Sequence, residues 1–111
     1  MKRDYIISKK NNTIIAVIEI QSIDNDKVGY KAKLIENHFP KELLSLIGEF
    51  HKTVDSLEFS LLDSIESRIQ AYQLYLRDLN LKIFDLLIEG QNISFYSKYP
   101  TANGFIDNYP E

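Results

Sequence analysis

The sequence predicts an α+β fold in which a mostly antiparallel sheet packs against two helices. The N-terminal part alternates in the period of two that strands show, and the middle part spaces apolar residues three and four apart, as helices do. A strand–turn–strand pattern then follows. We therefore expect three N-terminal strands, two helices and a C-terminal hairpin within one α+β domain over residues 1–98.

The three N-terminal strands are expected at residues 3–8, 13–22 and 27–36. The second is a nearly continuous β-branched run, which is typical of a strand covered on much of both sides. The third alternates sharply between apolar and polar residues, so one of its faces is basic and exposed to solvent. That face carries Lys27, Lys31 and Lys33. Because these lysines lack interleaved aromatic residues in an acidic chain, they indicate a solvated or protected sheet face and no nucleic-acid stripe.

Two amphipathic helices are expected at residues 40–52 and 56–76. Pro40 suits the first turn of the first helix, and Asp55 or Ser56 suits the cap of the second. The second helix has an apolar stripe at helical spacing. Its members are Leu57, Leu61, Leu62, Ile65, Ile69, Tyr72 and Leu76.

The opposite side of the second helix is the candidate partner-binding surface. It presents Phe59, Asp63, Glu66 and Gln70 at successive spacings of three or four, so their side chains are neighbours. Two acids beside an aromatic ring and an amide suit a basic protein partner. The two acids could also face a metal or a substrate, but without a histidine or a third acid on the stripe a solvated face is the commoner explanation.

The C-terminal part is expected to form a hairpin over residues 82–98 and an irregular tail over 99–111. Gly90 begins the hairpin turn. Asp85 interrupts an apolar strand, so it either faces solvent or hydrogen-bonds a buried backbone group. Prolines and a glycine make regular structure improbable in the tail, while its aromatic residues favour wrapping across the body over a free end.

Residues that catalysis and the binding of metals or cofactors require are missing from the sequence or dispersed along it. The chain has no cysteine, which excludes disulfides, thiolate metal sites and a cysteine nucleophile. Its glycines form no phosphate-binding loop, and no serine lies in a G-x-S-x-G elbow. His38 and His51 stand near opposite ends of the first helix, too far apart to share a metal ion. We therefore predict no enzyme and no catalytic, cofactor or metal site.

Charge and hydropathy limit the class of partner. The formal net charge of -3 argues against binding to a nucleic-acid backbone. No apolar run approaches the roughly 20 residues that cross a bilayer, and the N-terminus lacks the apolar core of a signal peptide. We predict a cytoplasmic protein that does not bind membranes.

Residues 50–97 contain FHKTVDSLEFSLLDSIESRIQAY followed by LKIFDLLIEGQNISFYS. A helix with an internal LLDSIE before a hairpin of the form I-F-D-L-x-I-x-x-x-x-I-S-F resembles the small immunity proteins of bacterial polymorphic-toxin systems, including contact-dependent growth inhibition. The resemblance implies a cytoplasmic antidote that binds one cognate toxin domain, with a basic nuclease among the candidates. Asp63 and Asp85 match the acidic positions of the pattern.

Two other classes of function remain open. A small ligand-binding or enzymatic domain would bring Tyr30, Tyr72 or Tyr96 together with a carboxylate in a pocket. A self-associating structural subunit would pair through an exposed strand or through the aromatic tail.

Overall fold

Two helices and a large antiparallel sheet make up the chain, in the α+β arrangement that the sequence predicts. The structure is a computed structural model that describes residues 2–56 and 59–110, without the side chain of Phe59. The elements in chain order are β1 (Lys2–Ser8), β2 (Thr13–Ile23), β3 (Gly29–Asn37), α1 (Lys41–Ser56), α2 (Phe59–Gln70), β4 (Leu74–Leu76), β5 (Leu81–Lys82), β6 (Phe84–Glu89), β7 (Asn92–Tyr96), β8 (Tyr99–Thr101) and β9 (Gly104–Ile106).

The main sheet is strongly curled. Its strands are ordered β5-β4-β1-β2-β3-β7-β6, and each neighbouring pair is antiparallel. The edge strands β5 and β6 are nevertheless consecutive in the chain, with Ile83 alone between them. Because three consecutive Cα atoms span at most about 7 Å, the two edges must approach each other there. Ile83 is buried, and its N–H donates to the carbonyl of Leu74 at 3.0 Å.

One hydrophobic core lies between the sheet and the two helices. The alternation predicted for the third strand is confirmed, since Tyr30 is buried while Lys31 and Lys33 are exposed. Phe95 faces inward on the return strand of the hairpin, as predicted, and stacks on Tyr30 with ring centroids 5.4 Å apart. The turn at Gly90 is also confirmed, with a φ of 63° that glycine adopts at little cost.

The first helix is longer than predicted, because α1 continues to Ser56. Asp55 and Ser56 therefore end α1 and do not cap the second helix, so that prediction is wrong. The hydroxyl of Ser56 instead donates to the carbonyl of Thr53 at 3.0 Å. At the other end, the side-chain oxygen of Asn37 accepts the N–H of Phe39 at 3.1 Å. In the described part of the chain, neither helix combines the length and the hydropathy needed to cross a bilayer.

The second helix is shorter than the predicted 56–76, because α2 ends at Gln70. The backbone reverses at Gln73, which has a φ of 53°, and then forms β4 beside β1. Leu76, predicted on the helical stripe, pairs with Ile6 and is fully buried in the strand. Pairing with β1 supplies backbone hydrogen bonds that the sequence period does not reveal, and it overrides the helical pattern.

The apolar stripe predicted for the second helix is only partly buried. Ile65 is buried, and Leu62 and Ile69 are partly buried. Leu61, predicted to face inward, is 47% exposed. Leu57 lies outside the described residues.

The segment predicted to be irregular, 99–111, contains a hairpin over residues 99–106, which corrects that prediction. Its strands β8 and β9 form a separate two-stranded sheet. The turn between them is held by Thr101, whose hydroxyl donates to the carbonyl of Gly104 at 2.6 Å and accepts the N–H of Asn103 at 3.3 Å. Gly104 has a φ of 119°, a conformation open to glycine.

A buried carboxylate fastens the turn between β4 and β5 to β1. Asp4 is 0% exposed, and its Oδ1 accepts the N–H groups of Tyr5 at 2.7 Å and Asp78 at 2.9 Å. Its Oδ2 accepts the N–H of Leu79 at 3.1 Å. Hydrogen bonds to a charged, buried acceptor are stronger than neutral ones, so Asp4 contributes strongly to the stability of this corner.

Asp4→Ala is expected to lower the free energy of unfolding by about 3 kcal/mol, because Asp78 and Leu79 lose the buried acceptor of their N–H groups. Urea denaturation followed by circular dichroism measures the loss. Asp78→Ala is the control, since its carboxylate is exposed and pairs with Arg77 in solvent. It should change the same quantity by less than about 0.5 kcal/mol. Equal effects of the two substitutions would contradict this role of Asp4.

Candidate functional site

An open groove of about 410 Å³ lies where α1, α2, β6 and β8 meet. We call it the acidic groove, because three carboxylates lie among apolar and aromatic side chains. Its lining consists of Phe50, His51, Val54, Leu62, Asp63, Glu66, Asp85, Tyr99 and Pro100. Four elements, from α1 to β8, therefore contribute to one site.

Glu66 is the acid that the tail engages. It is half-buried on α2, and the hydroxyl of Tyr99 donates to its Oε1 at 2.5 Å. Burial raises the pKa of Glu66, the hydrogen bond from Tyr99 opposes this shift, and the negative charges of Asp85 and Asp63 add to it. Burial and the bond to Glu66 raise the pKa of Tyr99, so this phenol stays protonated and remains a donor.

Asp85 enters the groove through an irregularity in β6. Between Phe84 and Leu87, β6 advances three residues while β7 advances two, from Tyr96 to Ser94, which is a β-bulge. Asp85 within the bulge has a φ of 53°, a strained conformation for a residue with a side chain. Burial raises the pKa of its half-buried carboxyl, and the nearby imidazole of His51 partly opposes this shift.

His51 is held by the same strand. Its Nε2 lies 3.1 Å from the carbonyl oxygen of Leu86, and because a carbonyl only accepts, this nitrogen carries the proton. The ring of Phe50 packs edge-on against the imidazole, with centroids 5.3 Å apart. These contacts orient His51 beside Asp85 at the wall of the groove.

The acidic groove brings together two of the four residues predicted to bind a partner. Asp63 is exposed at the groove and Glu66 is half-buried within it. Gln70 is partly buried and lines adjoining cavities. The side chain of Phe59 is outside the described part of the structure, and whether these residues bind a partner stays a prediction.

Sequence reasoning did not place His51, Asp85 and Tyr99 in this site. The sequence did contain a signal for Asp85, because a carboxylate inside an apolar strand is unusual and indicates a specific role. The aromatic content of the tail was a signal for Tyr99, and the predicted wrapping is confirmed by its contacts with Glu66 and Phe84. His51 had no signal, because only folding brings α1 beside β6.

Tyrosines also meet carboxylates elsewhere. Tyr30 and Tyr96 line a cavity of about 130 Å³ together with Asp24. The hydroxyl of Tyr72 donates to Glu42 at 3.3 Å. The geometry expected for the ligand-binding alternative is therefore present at Tyr30 and Tyr96, in a cavity apart from the acidic groove. In the acidic groove Tyr99 supplies the phenol.

The acidic groove has the groups needed to bind an organic cation. Carboxylates can pair with an ammonium or a guanidinium group, and Glu66 and Asp85 could also exchange a proton with a ligand. Within residues 2–56 and 59–110, no three histidine or carboxylate side chains are grouped so as to hold a metal ion.

No family model matches the chain, and no curated protein or solved structure shows significant similarity to it.

Asp85→Asn is expected to raise the urea midpoint at neutral pH, because it removes a negative charge that burial disfavours and asparagine tolerates the positive φ. The pKa of Asp85 is raised in the folded state, so the wild type gains stability as the pH falls through that pKa. The advantage of the variant should therefore shrink as the pH is lowered toward about 4.

Denaturation at a series of pH values measures this effect. Glu49→Gln removes an exposed acid of α1 that does not line the groove, and its stability should follow the wild type at every pH. A variant at position 85 that is less stable than the wild type at neutral pH would show that the carboxylate makes a net stabilising interaction.

Proposed function

We propose that this chain is an immunity protein, a cytoplasmic antidote that binds one bacterial toxin domain and neutralises it by covering a surface which the toxin needs. The observation that carries the proposal is the acidic groove, in which Asp63, Glu66 and Asp85 lie among apolar side chains. The resemblance of residues 50–97 to immunity proteins of polymorphic-toxin systems supports the same class.

The lining of the groove suits the two parts of an arginine or lysine side chain. Phe50 and Leu62 can cover the methylene stem, while Glu66 and Asp85 receive the charged head. Because both acids are half-buried, water screens their attraction for a cation less than it does at an exposed site. A bound cation would also offset the unfavourable burial of two negative charges.

Charge also favours a toxin with a basic surface. The net charge of -3 would speed the encounter with such a partner, and Asp63, exposed at the groove, would contribute to this attraction. A nuclease must present lysine and arginine side chains to a phosphate backbone. An acidic protein that occupies those side chains would block the surface on which the nuclease acts.

A small organic cation is the second candidate occupant. The specific observation is that Asp85 is held in a strained conformation beside Glu66, with the pKa of both carboxyls raised. Such pairs of perturbed acids are frequent at ligand-binding and catalytic sites. A change in melting temperature on addition of diamines and amino sugars, in the absence of any protein partner, would favour this reading.

The hypothesis that this chain neutralises a toxin is tested by co-expression with the C-terminal domain of a large exported protein encoded beside this chain's gene. A one-to-one complex and protection of the cells are expected. The double variant Asp63→Asn/Asp85→Asn should weaken binding by at least about tenfold in calorimetry, because the charge pair at Asp85 and the attraction from Asp63 are both lost.

Glu49→Gln is the matched control for that experiment, since it removes one exposed acid outside the groove. It should bind and protect as the wild type does. A chain that forms no complex with the toxin domain and gives cells no protection is not an immunity protein for that toxin.

A further inference from the structure

The C-terminal segment forms a wall of two cavities. We call residues 98–110 the strap. Its residues Tyr99 and Pro100 line the acidic groove. Its residues Asn108 and Tyr109 line a second open cavity of about 500 Å³, which we call the strap pocket. The strap therefore lies between two recesses on the same side of the molecule.

Tyr99 is the partition between these recesses. Its hydroxyl bonds to Glu66, which lines the acidic groove. Its ring packs edge-on against Phe84, which lines the strap pocket, with centroids 5.8 Å apart. Its other neighbour, at 5.2 Å, is Tyr109 of the strap itself.

The floor beneath Tyr99 is continuous. Glu66 in the acidic groove and Gln70 in the strap pocket are one turn apart on α2. Phe84 in the strap pocket and Asp85 in the acidic groove are adjacent on β6. The two recesses therefore adjoin along α2 and β6, and Tyr99 contacts one residue of each, Glu66 and Phe84.

Among the described residues, side-chain contacts and not strand pairing hold the strap on the body. Its strands pair with each other in a sheet of their own, and an isolated two-stranded hairpin is marginally stable. Side-chain hydrogen bonds reach the body from Tyr99 to Glu66 and between Asn108 and Lys82. Phe105 packs on Tyr96 but stays 43% exposed. Segments of this kind open at a far smaller free-energy cost than the core.

We infer that the acidic groove, the strap pocket and the floor beneath Tyr99 form one recognition surface, which the strap occupies in the free protein and yields to a partner segment. That segment carries a basic side chain for Glu66 and Asp85 next to a large aromatic ring for Phe84. The basic side chain takes the place of the Tyr99 hydroxyl at Glu66. The aromatic ring takes the place of the Tyr99 ring against Phe84. The inference rests on the proposed function for the identity of the partner, but its chemistry can be tested separately.

The probe is the blocked peptide acetyl-Arg-Trp-Arg-amide, titrated into the full chain. The chain has no tryptophan, so the fluorescence of the peptide reports binding directly. Tyr99→Phe keeps the ring on Phe84 but removes the hydroxyl that occupies Glu66, and it should bind the peptide about fivefold more tightly than the wild type. Glu66→Gln can still accept the Tyr99 hydroxyl but has no charge for the peptide, and it should bind at least about fivefold more weakly.

Tyr5→Phe is the matched control, because it removes a tyrosine hydroxyl in β1, where the ring lies under the guanidinium of Arg77. It should bind the peptide as the wild type does. Hydrogen exchange supplies a second measurement, since the amides of residues 99–106 should exchange faster when the peptide is bound. If Tyr99 and Glu66 had only a structural role, both substitutions would change the affinity for the peptide in the same direction.

A Tyr99→Phe variant that binds the peptide no more tightly than the wild type overturns the inference, and so does exchange at 99–106 that the peptide leaves unchanged. If the chain binds no toxin but responds to the peptide as expected, the inferred recognition surface stands and the proposed function fails. If the chain binds the toxin but the amides of residues 99–106 exchange as slowly as in the free chain, the proposed function stands and the inference is overturned.

Discussion

The buried carboxylate of Asp4 is the contact on which the position of the site depends. By accepting the N–H groups of Asp78 and Leu79, it fastens the β4–β5 turn to β1. β5 then continues through Ile83 directly into β6, so the fastened turn lies only a few residues before the strand that lines the groove. β6 carries Asp85 to the groove. A hydrogen bond between residues 74 apart in sequence thus helps to position one wall of the site.

The acidic groove departs from what stability alone would favour. Glu66 and Asp85 are half-buried acids whose pKa values burial raises, and Asp85 also has a positive φ within a β-bulge. The hydroxyl of Tyr99 compensates Glu66 in part, but the described residues that line the groove include no lysine or arginine. Unfavourable local features of this kind concentrate at sites of function, because a binding partner supplies the missing interaction.

The elements that sequence reasoning predicted well are those whose patterns are local. The alternation of β3 and the turn at Gly90 follow from side-chain period and backbone conformation within a few residues. The end of α2 was mispredicted because Leu76 suits both a helical stripe and a strand. The choice between them depends on β1, which lies some seventy positions away and offers free backbone groups to β4. The hairpin of the strap was missed because prolines and glycine favour irregular structure by local criteria, whereas the structure places Gly104 in β9, where it pairs with Thr101.

By itself, the sequence determined the α+β class, the order of its main strands and helices, and the placement of Asp63 and Glu66 on one surface of α2. Only the tertiary structure decided that this surface meets Asp85, His51 and Tyr99. The physical reason is the range of the interactions. Periodicity reports which side of an element is apolar, whereas the neighbour of its polar side depends on sheet curl, a bulge and the path of the strap, which arise from contacts between distant residues.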